Sequence, residues 1–312
     1  CLIDVENRHP RVLKLEEIDS GILRFSTPLG GNCPVEKVRS QPILSIRNPL
    51  SRSRYHQGFH RIQAGLKRGD SFLANLTYPV DVECSQPLHE VFFSSQALFR
   101  LWWKDHFTVF SPEKFITIST NGTAATFPMK GTISADIPDA ANRLRDNAKE
   151  AAEHLTVVDL LRNDLGRIGT KVRVERFRYL ERIHSPAGDI LQASSEIRAE
   201  LGKNWQGRIG SLLAEILPAG SITGAPKRRT LELISEAEGE QRGYYTGIIG
   251  YFDGSQFCSG VMIRFIEERA GGLPDSLPLQ FPRFRSGGGI TIYSDEEEEY
   301  HELHTKIRIP SG

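Results

Sequence analysis

The chain has 312 residues, enough for one large domain or two ordinary ones, and its 39 Lys and Arg residues balance 39 Asp and Glu residues. This balance does not favour binding to nucleic acid or to a membrane through a basic surface. No apolar run approaches the roughly 20 residues of a membrane-spanning helix. The N-terminus has no secretion pattern, and the four widely spaced cysteines favour a reducing cytoplasm over a disulfide framework or a cysteine zinc site.

The first half of the chain predicts a helix followed by short strands. Residues 58–67 have the periodicity of an amphipathic helix, and the stretch SFLANLTYPV after the turn RGD has a strand pattern. Further strand patterns occur in EVFFSS, ALFRLWW, HFTVFS and FITIST. The turn NGT closes a predicted hairpin.

The second half mixes longer helices with strands. Residues 139–165 are rich in Ala, Leu, Glu and Arg and predict one helix or two joined helices. Strands are predicted in TKVRVERFRYLERI, YYTGIIGYF, FCSGVMIRFIEE and GGGITIYS, and helices in NWQGRIGSLLAEIL, KRRTLELISEAEG and DEEEEYHELHTKIRI. The proline-containing segment AGGLPDSLPLQFPRFR is expected to be an exposed loop. Because strands cluster without a steady β-α-β repeat and no linker is evident, we predict one large α+β domain.

Two side chains in the strand-rich region suggest proton chemistry. Lys130, in FPMKGT, lies between an apolar strand end and a glycine. Most lysines are solvated surface residues, but a partly desolvated lysine loses its proton more easily and becomes a base or a nucleophile. Glu113, in FSPEKF, stands where Ser-Pro-Glu commonly begins a helix. If the flanking strands pair as a hairpin, however, Glu113 and Lys130 face one cavity as an acid beside a base.

Carboxylates recur in two helical stretches. Glu153 lies in EAAEHL, and Glu299, Glu302 and Lys306 form one stripe of the last predicted helix. Such charged rows are most often solvated helix faces. The alternative is that one carboxylate from each helix binds Mg²⁺, which prefers hard oxygen ligands and keeps waters for a substrate carboxylate.

Two further stretches suggest anion binding, whereas a third does not match the pattern of a phosphate-binding loop. The glycines of SGGGIT, residues 286–291, are compatible with a bulge but also let backbone N–H groups approach an anion closely. Arg264, in VMIRF, has apolar neighbours and suits a carboxylate through a bidentate fork. The loop PAGSITGAPK, residues 218–227, lacks the pattern G-x-x-x-x-G-K-[ST], because Ala225 replaces the glycine and Arg228 follows the lysine. Nucleotide binding through this loop is therefore disfavoured.

Together, these stretches resemble a known family. PAGSITGAPK, VVDLLRNDLGR, FPMKGT, SGGGI and the closing E-x-x-E-x-x-x-K are similar to motifs of the chorismate-utilising enzymes, and the resemblance covers about residues 55–309. It implies an α+β fold with two facing antiparallel sheets flanked by helices and a central active site. Residues 1–50 would form a short N-terminal segment, reduced relative to the family, and residues 51–312 the chorismate-binding catalytic domain.

The resemblance also implies roles for individual residues. Glu153 and Glu302 match the family's two Mg²⁺ carboxylates. Glu113 matches the general acid that helps the C4 hydroxyl of chorismate to leave. Contacts with the substrate are implied for Thr223, Tyr245, Arg264, Gly287, Gly288, Gly289 and Lys306.

The residue type at position 130 differs between related reactions of the family. Anthranilate synthases usually carry Ala at this position. In the branch that leads to para-aminobenzoate and folate, the lysine is taken to attack C2 of chorismate, and ammonia then displaces it by attack at C4. The resemblance therefore implies amination of chorismate to 4-amino-4-deoxychorismate. Isochorismate and salicylate synthases also carry a lysine here but differ in the TGAPK loop. Anthranilate or isochorismate synthesis, or a non-catalytic chorismate-binding relative, are the alternatives.

The sequence departs from the family pattern in two ways. Gln192 stands where the family commonly has a histidine, and glutamine can bind a substrate but cannot titrate. The N-terminal part is short, so feedback inhibition by tryptophan is not expected. The sequence contains no glutaminase motif, so we expect ammonia to come from solution or from a separate glutamine amidotransferase subunit.

Overall fold

A computed structural model describes residues 1–33, 42–183 and 188–309 of the chain, so residues 34–41 of the predicted N-terminal segment lie outside the described residues. The helices, in chain order, are α1 (Arg52–Arg68), α2 (Leu88–Ser94), α3 (Ala140–Asp146), α4 (Ala148–Ile168), α5 (Ile209–Ile216), α6 (Gly220–Thr223), α7 (Lys227–Glu238) and α8 (Glu296–Thr305). The strands are β1 (Leu2–Ile3), β2 (Leu23–Thr27), β3 (Gly30–Gly31), β4 (Leu44–Asn48), β5 (Leu73–Cys84), β6 (Phe99–Trp103), β7 (Phe107–Ser111), β8 (Lys114–Ile118), β9 (Thr123–Thr126), β10 (Met129–Ser134), β11 (Thr170–Ile183), β12 (Ile190–Glu200), β13 (Gly224–Ala225), β14 (Ile248–Phe252), β15 (Phe257–Val261), β16 (Phe265–Arg269) and β17 (Pro278–Ile290).

The strands form two antiparallel sheets. The first sheet has the order β1-β14-β15-β8-β9-β12-β10, with β11 also paired to β12. The second has the order β13-β5-β17-β16-β7-β6-β2-β3, with β4 also paired to β5. Apolar side chains of α4 and α5 belong to the core of the first sheet, and those of α1, α7 and α8 pack on the second. The predicted α+β fold of two antiparallel sheets flanked by helices is confirmed.

Polar caps and glycines set the helix ends. Ser51 begins α1 by accepting the N–H of Arg54 at 3.3 Å, and Gly69 ends it in the left-handed conformation (φ 81°). Asn147 separates α3 from α4 and caps α4 by accepting the N–H of Glu150 at 3.1 Å. The helical pattern of residues 139–165 is therefore two helices, and the second continues to residue 168. None of the helices in the described part of the chain is long and apolar enough to cross a bilayer.

Two local predictions are wrong. The stretch EVFFSS lies in α2, not in a strand, because Leu88, Val91 and Phe92 have helical spacing and are all buried on one face. The proline-containing segment is only partly a loop, since residues 278–290 form β17, which pairs with β5 on one side and β16 on the other. Its prolines lie near the start of the strand, where the pairing with β16 is irregular, so the missing N–H donors are tolerated.

The first 50 residues contribute strands to both sheets. β1 pairs with β14 in the first sheet, whereas β2 pairs with β6 and β4 with β5 in the second. The predicted boundary at residue 50 falls between β4 and α1.

The loop PAGSITGAPK is held by a buried ion pair. Lys227 donates to Asp164 of α4 and to the carbonyl of Ile216, at 2.7 and 2.6 Å. Burial raises the pKa of Asp164 and lowers the pKa of Lys227, so each group depends on the other to remain charged. The lysine that a phosphate-binding loop would present to its ligand is therefore occupied in fixing this loop against α4.

We expect the variant Lys227→Met to lower the free energy of unfolding by about 3–5 kcal/mol, because it leaves Asp164 buried without a counter-charge. Urea unfolding followed by tryptophan fluorescence would measure the loss. The exposed pair of Lys171 and Glu200, 2.8 Å apart, supplies the control. Lys171→Met should cost less than about 1 kcal/mol. Equal losses in the two variants would show that the buried pair does not fix the loop.

Candidate active site

A cavity of about 260 Å³ lies between the two sheets, with walls from β10 of the first and from β5 and β17 of the second. Eight of the residues singled out in the sequence line it, namely Glu113, Lys130, Tyr245, Arg264, Gly287, Gly288, Gly289 and Lys306. They come from distant parts of the chain. The fold therefore brings together an acid, two amines and a guanidinium around one enclosed space.

Lys130 enters the cavity from an irregular strand. The register between β10 and β12 shifts between Met129 and Thr132, and such a bulge re-aims the intervening side chains. The Lys130 amine lies 2.9 Å from Oε2 of Glu153 on α4. Glu153 does not line this cavity, but both residues line an adjoining, mainly apolar cavity of about 590 Å³. Lys130 thus stands at the junction of the two spaces.

The pKa of Lys130 is shifted in the opposite direction to the one that the sequence suggests. Burial alone would lower the pKa of this amine. The hydrogen bond to Glu153 opposes burial, and negative charge on Glu150 and Glu302 adds to it, so the pKa of Lys130 is raised. The expectation of a depressed pKa is wrong for this arrangement, because the pairing of Glu153 with the amine depends on the contact of α4 with β10 and cannot be read from local sequence.

Glu113 lies between β7 and β8 and is held by the PAGSITGAPK loop. Ser221 donates its hydroxyl to Oε1 of Glu113 at 2.7 Å. Burial raises the pKa of Glu113, although the Ser221 bond and the Arg264 charge act against it. The hairpin that was to bring Glu113 and Lys130 together does not form between their strands, since β10 pairs with β12. Both side chains nevertheless line the same cavity.

Arg264 presents an unengaged cation to the cavity. Its backbone is left-handed (φ 53°), which is uncommon for a residue with a side chain. Among the described residues, none accepts a hydrogen bond from its guanidinium, and burial lowers its pKa. The hydroxyl of Tyr245 likewise makes no hydrogen bond to the described residues, and burial raises its pKa to about 12. A carboxylate ligand would satisfy both groups.

The glycine run in β17 allows close approach on two sides. A Cβ on Gly287 would lie 2.1 Å from the carbonyl oxygen of Leu76 in β5. One on Gly288 would lie 3.0 Å from Oε2 of Glu299 and 3.7 Å from the amine of Lys306. The glycines therefore let α8 bring its charged side chains against the sheet at the cavity edge.

The charged stripe of α8 forms the acidic edge of the site. Lys306 lies 2.6 Å from Oε1 of Glu302 and donates to the carbonyl of Gly287 at 3.0 Å. Burial would raise the pKa of Glu302, but nearby cations, Lys306 first among them, hold it below its ordinary value. Burial and the charge of Glu302 raise the pKa of Glu299. Several carboxylates thus converge here and are only partly neutralised.

The donor set at this edge fits Mg²⁺. The carboxylates come from two helices, α4 and α8, and all of their donor atoms are hard oxygens. Oε2 of Glu150, which lies beside Gly131 of β10, is buried and has no hydrogen-bond partner among the described residues. Glu153 and Glu302 are the residues that would hold the ion. Lys130 and Lys306 form ion pairs with these two carboxylates.

A buried network fixes the rear wall of the cavity. Arg242 pairs with Glu238, with one bond of 2.9 Å and one of 2.5 Å, and both side chains are almost fully buried. The same guanidinium donates to the carbonyls of Asn75 and Ile222 and to the hydroxyl of Thr246, at 2.5, 3.2 and 3.5 Å. These last three residues all line the cavity.

Two of the predicted substrate contacts do not line the cavity. Thr223 is fully buried and donates its hydroxyl to the carbonyl of Ala219 at 3.0 Å. Gln192 lies in β12, opposite Thr132 of β10, and is 9% exposed. Ser221 and Ile222 of the PAGSITGAPK loop do line the cavity, so the loop hydroxyl at the cavity is that of Ser221, two residues before Thr223. Sequence analysis missed Ser221 because the letters of the loop do not show which of its two hydroxyl groups the geometry of α6 places at the cavity.

Comparisons with known proteins agree with this architecture. The family model described as chorismate binding enzyme matches residues 7–311. An uncharacterized PabA-like protein of Haemophilus influenzae is 44% identical over 309 residues, which cover 99% of this chain and 91% of the relative. Aminodeoxychorismate synthase component 1 of Salmonella typhimurium is 32% identical over 276 residues, or 83% of this chain and 57% of that protein.

Solved structures share the fold at lower identity. The crystal structure of anthranilate synthase component I from Streptococcus pneumoniae superposes with a TM-score of 0.69 and 24% identity, over 86% of this chain and 60% of that one. At this identity the likeness concerns the fold alone. The family match covers nearly the whole chain and coincides with a cavity that offers groups suited to carboxylates. The protein is therefore a member of the chorismate-binding enzyme family.

Proposed function

We propose that the protein is an aminodeoxychorismate synthase component that converts chorismate and ammonia to 4-amino-4-deoxychorismate. The observation that carries this proposal is the Lys130 amine in the wall of a cavity that also presents Glu113 and Arg264. An amine, an acid and a carboxylate receptor are the groups that a covalent displacement on chorismate requires. The 32% identity to an aminodeoxychorismate synthase component 1 supports the same choice.

Substrate binding is assigned to the cations and glycines of the cavity. Chorismate carries two carboxylates. The free guanidinium of Arg264 and the hydroxyl of Tyr245 suit one of them, and Lys306 with the backbone of residues 287–289 suits the other. When bound at Glu153 and Glu302, Mg²⁺ would supply a positive charge to the ring carboxylate.

The chemistry is a double displacement. The neutral amine of Lys130 forms a bond to C2, the ring double bonds shift, and the C4–O bond breaks. Glu113 gives its proton to the departing hydroxyl, which leaves as water. Ammonia then forms a bond to C4, the double bonds shift back, and the bond from C2 to Lys130 breaks. Attack requires the neutral amine, which burial of Lys130 favours and the Glu153 contact opposes.

The ammonia source is assigned to a second protein. The relative's name, component 1, implies at least one further component. We propose that this partner is a glutamine amidotransferase that releases ammonia to the chain. The purified chain would then use an ammonium salt but not glutamine.

The first test is a product assay with chorismate, Mg²⁺ and an ammonium salt near pH 8.5, analysed by chromatography. We expect 4-amino-4-deoxychorismate, loss of activity on chelation with recovery on adding Mg²⁺, and no product from glutamine alone. Lys130→Ala should abolish the product, because it removes the amine that is proposed to attack C2. The other amine in the cavity lining, that of Lys306, lies at the end of α8 and not in the bulge of β10. Lys171→Ala is the matched control, since Lys171 also pairs with a carboxylate but on the exposed surface, and it should keep full activity.

Each other product would redirect the proposal. Isochorismate would show that water, not ammonia, is the nucleophile. Anthranilate would show that Lys130 does not select the reaction. Chorismate binding without turnover, with or without an amidotransferase present, would indicate a non-catalytic relative.

Glu113→Gln should lower kcat by roughly 10²–10⁴-fold, because the amide cannot donate a proton to the leaving hydroxyl.

The raised pKa of Glu113 keeps the acid protonated to higher pH than an exposed glutamate, so activity should fall as pH rises through that pKa. Ser221→Ala removes a bond that lowers this pKa and should therefore move the alkaline fall to higher pH. The profiles must be measured at a constant concentration of free ammonia. An unchanged profile in Ser221→Ala would contradict the role of Glu113.

Arg264→Gln should weaken chorismate binding by about 10–150-fold, the equivalent of about 1.5–3 kcal/mol for a hydrogen bond to a charged group. Isothermal titration calorimetry with chorismate would measure the change. Arg208→Gln, at an exposed position outside the cavity lining, should bind as the parent does. Parent-like affinity in Arg264→Gln would remove this residue from the substrate site.

A further inference from the structure

A second group of metal-binding side chains lies outside the cavity, where α1 meets the start of α8. It consists of His56, His60 and Glu296, and one ligand atom from each lies within 4.8 Å of the other two. Nδ1 of His56 is 3.0 Å from Oε1 of Glu296, and Nε2 of His60 is 3.0 Å from Oε2. The imidazole rings are 4.1 Å apart between centroids. One carboxylate is therefore shared by two imidazoles.

The two helices hold this arrangement in place. His56 and His60 are four residues apart on α1 and share one face, the spacing by which helical histidine pairs bind zinc. Glu296 is the first residue of α8, whose start is capped by Asp295. The helices are fixed next to the cluster by Tyr300, whose hydroxyl donates to the carbonyl of Leu50 at 2.7 Å. The three ligands therefore do not rely on a loop for their position.

The distances suit a metal with imidazole and carboxylate ligands. Zn²⁺ binds His nitrogen and carboxylate oxygen at about 2.0–2.2 Å, so neighbouring ligand atoms in a tetrahedral site are about 3.3 Å apart. The two histidine–glutamate distances are within about 0.3 Å of that value. All three side chains are at least a third exposed, so an ion can reach them and a water can complete the coordination.

The surrounding charge favours a cation. Glu297, Glu298 and Glu299 follow Glu296 directly along α8. The guanidinium of Arg52, which lines the same surface pocket as His56 and Glu296, makes both of its hydrogen bonds to Glu297. His301 also pairs with Glu297, at 3.0 Å.

We propose that His56, His60 and Glu296 form a surface site for a divalent transition metal of the zinc class. Two imidazole nitrogens make the site unsuited to Mg²⁺, which the oxygen donors of the cavity fit instead. A bound ion links α1 to α8, the helix that also carries Glu302 and Lys306. The site is independent of the proposed reaction, because none of its three ligands lines the cavity.

Cobalt provides the direct test, because Co²⁺ follows zinc chemistry and has visible absorption bands that report its ligands. We expect the 312-residue chain to bind one Co²⁺ at this site, and we expect Zn²⁺ to displace it but Mg²⁺ at a thousandfold excess not to. Zinc should raise Tm by roughly 2–6 °C once it is well above its Kd. His60→Gln and Glu296→Gln should each weaken binding at least tenfold.

Matched variants separate this site from others. His301→Gln, on the same helix and also exposed, and Glu302→Gln, in the cavity edge, should both bind as the parent does. Far-ultraviolet circular dichroism checks that every variant is folded. Three results would overturn the proposal: no binding tighter than millimolar, affinity unchanged in both His60→Gln and Glu296→Gln, or a thiolate charge-transfer band that disappears in Cys1→Ser.

Discussion

The buried pair of Arg242 and Glu238 is the contact on which the cavity depends. A guanidinium removed from water must satisfy its donors within the protein, and here three acceptors outside the pair are groups of the cavity wall. Glu238 in turn accepts from the backbone and hydroxyl of Thr77 in β5, at 2.8 and 2.9 Å. One ion pair thus ties α7, β5 and the loop before α7 to a common position. The wall is rigid because the alternative is an unpaired charge in the protein interior.

Charge pairing differs between the rear wall of the cavity and the side that carries Lys130. The structural pairs, Arg242 with Glu238 and Lys227 with Asp164, are closed and leave no free donor for a ligand. On the side that carries Lys130, the Arg264 guanidinium has no hydrogen-bond acceptor among the described residues, and Lys130 and Lys306 pair with Glu153 and Glu302. A ligand could therefore replace the ion pairs of Lys130 and Lys306 while the pairs Arg242–Glu238 and Lys227–Asp164 stay in place.

The sequence predicts the elements more fully than it predicts their contacts. Periodicity identified most helices and strands, and the ordered motifs identified the family, because both depend on local composition. The sequence could not show which hydroxyl group of the PAGSITGAPK loop lines the cavity. Ser221 and Thr223 both carry one, and their positions in α6 decide that Ser221 lines the cavity and Thr223 is buried. The direction of the pKa shift of Lys130 could not be predicted either, because it depends on the contact with Glu153, which belongs to another element. Strand β17 was missed over residues 278–285 because its prolines obscure the pattern.

The pairing of β5 with β17 has a consequence for how the protein folds. Asn75 lies opposite Gly289 in this ladder, although more than 200 residues separate them in the chain. Both residues line the cavity, so no early, locally folded part of the protein can contain it. Contacts between such distant segments close late and slowly. A substrate would therefore have no binding site on partly folded species, and its binding energy would stabilise only the completed sheet.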